Sequence, residues 1–253
     1  MRVFPIGVGT AFGERLFNTN LIVEFDDSDF LLVDCGITAS RSLDTIGMSV
    51  LDVNNLFVSH LHADHIGGIE ELALKAKLVR DAKVALYVQE QLVDGLWGSI
   101  RGGTEFTELG RMRLDDYFDV HTYRNGFTLG GIQFSSQPTR HVDGMLSFDL
   151  GFENLLLTSD TVFSREYATE RAGEFQIVVH DCSFNNAQRV HTFYEDLLAH
   201  RDLFNELYII HYEDHIGRHR PTMLSAQIGV CRQYTDIVGG HSKAQQVLPF
   251  LDE

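Results

Sequence analysis

The segment His60-Leu61-His62-Ala63-Asp64-His65 sets three imidazoles and a carboxylate within six positions. Neutral imidazole nitrogens and carboxylate oxygens are suitable donors to zinc and similar divalent metals. In an extended loop His60 and His62 point to one side, while Asp64 and His65 turn toward a second position nearby. One such loop cannot complete two coordination shells, so further donors must arrive from downstream. His141, Asp160 and His211 are the candidates, each standing just past an apolar run, at 132–138, 155–159 and 207–210. A lone histidine after a strand is ordinarily a surface or satisfied residue. Three donors in the order His, Asp, His favour a joint reading instead. His215 and His219 are open to two readings, a cleft wall near His211 or plain surface.

These donors need a scaffold of strands that end together. Apolar runs bounded by Gly, Asn and Asp predict strands at 20–25, 30–35, 55–59, 84–88, 132–137, 146–150, 155–158, 177–180 and 207–211. Helical periodicity falls at 69–79, 89–97, 193–204 and 222–234. Helices following strands predict an α/β fold with helices outside two stacked sheets. The stretch 98–116 reads as irregular and fits a lid, a dimer contact or a surface loop. No linker or repeat interrupts the chain, so residues 1–253 are expected to form one domain.

Composition narrows the function. With 44% hydrophobic and 22% charged residues the chain is neither disordered nor collagen-like. A net charge of −16 repels polyphosphate backbones and disfavours a long nucleic-acid partner. Three cysteines make no disulfide scaffold and suit a reducing, cytoplasmic setting. No apolar run is long enough for a membrane span, and the first residues lack a signal-peptide pattern.

On its donor motif and the three strand-end donors, the chain resembles the metallo-β-lactamase-fold hydrolases. The resemblance implies a four-layer αββα sandwich holding two Zn2+ per chain, with Mn2+ or another divalent metal as an alternative. His60, His62 and His141 would hold one ion, Asp64, His65 and His211 the other, and Asp160 would bridge them. B1 β-lactamases carry a cysteine where Asp160 stands, which argues against antibiotic hydrolysis. Around His141, the segment Thr139-Arg140-His141-Val142-Asp143-Gly144-Met145-Leu146-Ser147-Phe148 lacks the Pro-Gly-His of glyoxalase II and lactonases. It is similar to the ribonuclease Z branch, as are Gly7-Val8-Gly9-Thr10-Ala11, Asn18-Thr19-Asn20-Leu21 and Leu32-Val33-Asp34-Cys35-Gly36. Asp34 would then stand behind the ligands and orient an imidazole; the plainer reading is a strand-end turn residue. Val178-Val179-His180-Asp181-Cys182-Ser183-Phe184 resembles the branch's His-Glu-Ala-Thr segment, and His191-Thr192-Phe193 its His-Ser-Thr segment. The resemblance makes His191 a phosphate contact and the acid that protonates the leaving oxygen. Its third letter departs from the pattern, and an ordinary helix N-terminal histidine is the alternative.

The branch's transfer-RNA arm lies between the third metal histidine and the bridging aspartate. Only nineteen positions separate His141 from Asp160, so the arm has no room. Armless members of this size resemble the anti-Pycsar cyclic-nucleotide phosphodiesterases, typically homodimers. The expectation is therefore hydrolysis of 3′,5′-cyclic nucleotides to nucleoside 5′-monophosphates, countering immune signalling. Rival expectations are RNA 3′-end processing, a lactonase or thioesterase, and a non-catalytic metal or nucleotide binder.

Overall fold

The computed structural model describes residues 1–25, 29–185, 187 and 189–238. They divide into two compact units. One comprises Met1–Gly7, Phe17–Arg124 and the described residues from Gln233 onward; the other comprises Val8–Leu16 and Asn125–Arg232.

The first unit carries a six-stranded sheet in the order Arg2–Gly7, Asn20–Glu24, Phe30–Val33, Asn55–Val58, Val84–Gln89, Phe118–Tyr123. Its first two pairings are antiparallel and its last three parallel. Phe30–Val33 and Asn55–Val58 are buried at every residue, which explains their continuous apolar runs. The outer edge of Arg2–Gly7 is covered: the Tyr234 amide donates to the Pro5 carbonyl at 2.6 Å and the Ile237 amide to the Val3 carbonyl at 2.8 Å.

Part of the stretch read as irregular is helix, because Val93–Thr104 runs through Gly102-Gly103. An added Cβ at Gly103 would lie 2.1 Å from Glu70 Oε1, so this glycine permits close approach rather than breaking the helix. Phe106–Thr107 and Gly110–Arg111 then form a short hairpin, on which Phe106 is 75% and Leu109 58% exposed.

The second unit carries a seven-stranded sheet in the order Ile228–Val230, Glu206–Ile210, Ile177–Asp181, Leu155–Leu157, Leu150–Phe152, Ile132–Ser135, Gly126–Leu129. The first four strands are parallel and the rest pair antiparallel. Two expectations are corrected here. The helix expected over 222–234 is confined to Arg220–Ser225; Gln227 then takes a left-handed φ of 58°, and Ile228–Val230 joins the sheet. The strand expected over 146–150 is divided, with Ser147–Phe148 pairing to Pro138–Thr139 and Leu150–Phe152 entering the main sheet.

Asp149 sits at that division and fixes the loop bearing His141. Its buried carboxylate accepts from the Gln137 amide at 2.8 Å, the Tyr167 hydroxyl at 2.7 Å, and Arg171 Nε and Nη2 at 3.0 and 3.1 Å. A buried charge this fully satisfied is tolerable where an isolated one would not be. All three cysteines are buried free thiols. Among the described residues no helix is long and apolar enough to cross a membrane.

Candidate metal centre

In the first unit, the strand Asn55–Val58 runs out into Ser59-His60-Leu61-His62, and the short helix Ala63–Ile66 follows. His62 is extended at the helix start, with φ −73° and ψ 150°, so the chain turns just before Asp64 and His65. His60, Asp64 and His65 are buried. The helix is held against the loop after Phe30–Val33: the Cys35 amide donates to the His65 carbonyl at 2.7 Å. Gly36 makes this approach possible, since a Cβ there would stand 1.9 Å from the Asp64 carbonyl oxygen. The motif residue Asn20 accepts the Gly36 amide through Oδ1 at 2.7 Å. Asp34 Oδ2 accepts from His65 Nδ1 at 2.7 Å. His65 Nε2 then faces Asp64 Oδ2 at 3.4 Å.

His60 Nε2 and His62 Nδ1 lie 3.2 Å apart. Two nitrogens on one tetrahedral zinc, each about 2.0–2.1 Å from it, stand roughly 3.3 Å apart. The pair therefore suits a shared divalent ion.

In the second unit, donors gather at the carboxyl ends of the parallel strands, the usual place for a site in such a sheet. Asp160 follows Leu155–Leu157, Asp181 ends Ile177–Asp181, and His211 follows Glu206–Ile210. Asp160 Oδ2 lies 3.6 Å from His211 Nε2, 3.7 Å from His141 Nε2 and 3.8 Å from His191 Nδ1. His141 Nδ1 donates to the Val190 carbonyl at 2.7 Å, which fixes the tautomer that leaves Nε2 an acceptor. Burial lowers the pKa of His141 despite the nearby Asp160, keeping its imidazole neutral as a ligand must be. Ligand-capable atoms of Asp160, Asp181, His191 and His211 all lie within 4.8 Å of one another.

Asp181 is the functional residue that the motif reading passed over. Its Oδ2 accepts from His191 Nδ1 at 3.0 Å and from the Thr161 amide at 3.0 Å, while Oδ1 faces His211 Nδ1 at 3.3 Å. Burial pulls the His191 pKa down, but the Asp181 charge and hydrogen bond override it, so the net shift is upward. Asp181 itself shifts down because His191 and His211 outweigh its burial. The available signal was its place in Val179-His180-Asp181, past an apolar run and aligned with the glutamate of the His-Glu-Ala-Thr segment.

Three site-bearing positions hold left-handed backbone without being glycine: Asp34 (φ 62°), Ser159 (φ 54°) and His211 (φ 60°). Such strain gathers at functional sites because the surrounding fold fixes the conformation. His215 is exposed, and His219 stacks on Phe184 at 4.6 Å rather than joining the Asp160 cluster.

His180 is structural. It is fully buried, its Nδ1 donates to the Asp181 carbonyl at 2.8 Å, and burial lowers its pKa. The unfolded chain, titrating near 6.5, binds more protons than the folded one just below that pH. Stability contributed here is thus present above about pH 6.5 and lost as pH falls toward the folded value. Urea midpoints at pH 5.5 and 7.5 should differ less for His180→Gln than for wild type.

Comparison with known proteins agrees with this geometry. The family model described as anti-Pycsar protein Apyc1 matches residues 1–234. An anti-Pycsar protein Apyc1 of Paenibacillus xerothermodurans is 33% identical over 227 residues, covering 85% of this chain and 88% of the relative. One of Bacillus phage vB_BsuM-Goe3 is 32% identical over 230 residues, covering 83% and 88%. The metallo-β-lactamase-fold protein YhfI of Bacillus subtilis superposes with a TM-score of 0.72 at 15% identity, covering 92% of this chain and 96% of that one. Short-form human tRNase Z superposes at 0.67 with 16% identity, covering 94% and 98%. The chain therefore has the α/β metallo-β-lactamase fold that the sequence led us to expect.

Proposed function

Because the chain belongs to the anti-Pycsar Apyc1 family, we propose that it is a dinuclear-zinc phosphodiesterase that opens 3′,5′-cyclic nucleotides to nucleoside 5′-monophosphates and thereby removes an immune signal. The observation that carries this reading is the Asp181–His191 pair beside Asp160, an imidazole whose hydrogen bond to a buried carboxylate favours its charged form, where a phosphate-handling site is expected. The proposed ligands are His60, His62 and His141 for one ion and Asp64, His65 and His211 for the other, with Asp160 between them. A family match that runs through both compact units supports one domain over residues 1–253.

The chemistry supplied by bound divalent metal would be Lewis acidity toward phosphate oxygens and activation of water. The chain's own residues supply the rest. A water oxygen bonds to phosphorus and releases one proton to solvent, the P–O3′ bond breaks, the 3′ oxygen takes the proton of His191 Nε2, and solvent returns a proton to His191 for the next turnover. Asp181 Oδ2 holds His191 Nδ1–H throughout, which aims the ring and stabilises its charged form before transfer. Asp160 and His211, both buried, hold Oδ2 and Nε2 3.6 Å apart, so little reorganisation accompanies the reaction.

A second copy of the chain is the proposed partner, in the cytoplasm. Exposed Phe106 and Leu109 on the short hairpin, beside an open cavity of about 480 Å³ lined in part by Trp97, Met112 and Leu114, support the homodimer. RNA processing is the weaker reading. The interval from His141 to Asp160 holds only the short strands Ser147–Phe148, Leu150–Phe152 and Leu155–Leu157 with their connections, and contains no arm.

The test is a hydrolysis panel on zinc-loaded protein: cyclic CMP, UMP, AMP and GMP against a transfer-RNA precursor and a simple lactone. Turnover of cyclic nucleotides, abolished by chelation, is the expected result. Consumption of only the RNA or the lactone would overturn the substrate assignment.

A further inference from the structure

Ser59 and Asp34, exposed by only 1% and 4%, link two imidazoles through one run of hydrogen bonds. The Ser59 hydroxyl has a single proton, and Asp34 Oδ2 lies 2.7 Å away as an acceptor that cannot donate when ionised. His60 Nδ1 lies 3.0 Å from the same hydroxyl oxygen. With the serine proton directed to Asp34, the oxygen can only accept from His60, so His60 carries its proton on Nδ1 and Nε2 is left as the acceptor. Nε2 is the nitrogen 3.2 Å from His62 Nδ1. Asp34 meanwhile takes His65 Nδ1 directly at 2.7 Å on Oδ2, and the Ser59 amide at 2.8 Å on Oδ1.

One carboxylate thus sets the tautomer of two imidazoles, His65 directly and His60 through a hydroxyl. In the ligand assignment proposed above, on which this inference rests, His60 and His65 serve different metal positions. We propose that Ser59 is a positioning residue that locks His60 in its Nδ1–H form, and that through Ser59 the Asp34 carboxylate couples the two metal positions. Ser59 lies outside the donor motif and touches no substrate; its effect passes entirely through His60.

The proposal predicts an asymmetry. Loss of the Ser59 hydroxyl weakens the position that uses His60, by about 10–100-fold as for other groups that orient a metal-bound histidine, and leaves the His65 position within twofold. Asp34→Asn weakens both. Zinc competition against a chromophoric chelator reads the two affinities in wild type, Ser59→Ala and Asp34→Asn. Nitrogen-15 NMR of the metal-free full-length chain reads the His60 tautomer independently: Nδ1–H in wild type, a mixture or Nε2–H in Ser59→Ala. The pair Ser59→Thr and Ser59→Val repeats the question at nearly constant shape, with the hydroxyl present in one and absent in the other. Threonine should retain the wild-type tautomer and both affinities, and valine should not.

A Ser59→Ala or Ser59→Val protein with the wild-type tautomer and both affinities intact would overturn the proposal, as would equal weakening of the two positions. If wild type takes up fewer than two zinc ions, the dinuclear reading fails. The tautomer measurement still decides the Ser59 relay in that case.

Discussion

His65→Ala protein should lose metal and turnover together, with cyclic-nucleotide hydrolysis reduced at least about 10³-fold. The side chain is 1% exposed, its Nδ1 is held by Asp34, and its Nε2 faces Asp64 Oδ2 at 3.4 Å. Nothing else in the short helix Ala63–Ile66 can replace that nitrogen, because the residues beside it are Asp64 and Ile66. Asp64→Ala should behave alike, since it removes the neighbouring donor of the same proposed ion. Elemental analysis for bound metal, run beside a hydrolysis assay, checks both variants, and thermal melts confirm that they fold. A variant that binds one ion fewer yet turns over at the wild-type rate would refute the dinuclear mechanism.

For His191→Ala the expectation is different in kind: full metal content and a kcat lower by about 10²–10⁴. His191 acts as the acid only while protonated, so wild-type activity should fall as pH rises through its pKa. The Asp181 carboxylate moves that fall upward from the ordinary histidine range, against the pull of burial. The variant should lack this alkaline limb. It should also lose far less rate on a p-nitrophenyl phosphodiester, whose leaving group departs without a proton. Equal losses on cyclic nucleotide and nitrophenyl ester would remove His191 as the acid and leave it a phosphate contact.

The proposed donors were legible because metal chemistry concentrates unusual residues in a short space. His60 through His65 stand out in any reading, and His141, Asp160 and His211 each mark the end of an apolar run. Asp34 was expected to orient an imidazole only through the resemblance of Leu32-Val33-Asp34-Cys35-Gly36 to the ribonuclease Z branch. Asp181 was marked only by its place opposite the glutamate of the His-Glu-Ala-Thr segment, and Ser59 by nothing in its motif, because their roles depend on pairing that spacing does not encode. Asp181 meets His211 only because Ile177–Asp181 lies parallel to Glu206–Ile210, with Asp181 opposite Ile210. Ser59 becomes a relay only because the turn after Phe30–Val33 delivers Asp34 to it. Among the elements, Phe118–Tyr123 escaped notice because it is the sheet's outer strand, with four of its six positions not buried, so its sequence shows no apolar run. Ile228–Val230 was concealed within a helical periodicity that its neighbour strand overrode.

Ser159 has a bearing on heat tolerance. It holds φ 54°, and its hydroxyl is buried with no hydrogen-bond partner among the described residues. Glycine would accept that backbone without the clash, worth about 1–2 kcal/mol, against roughly 0.5–1 kcal/mol for the freer unfolded chain. Ser159→Gly should accordingly raise the melting temperature by about 1–4 °C, read by calorimetry, with every proposed donor in place. A lineage moving to warmer growth has at this residue a single-substitution route to a hardier protein, open without any change to a metal donor.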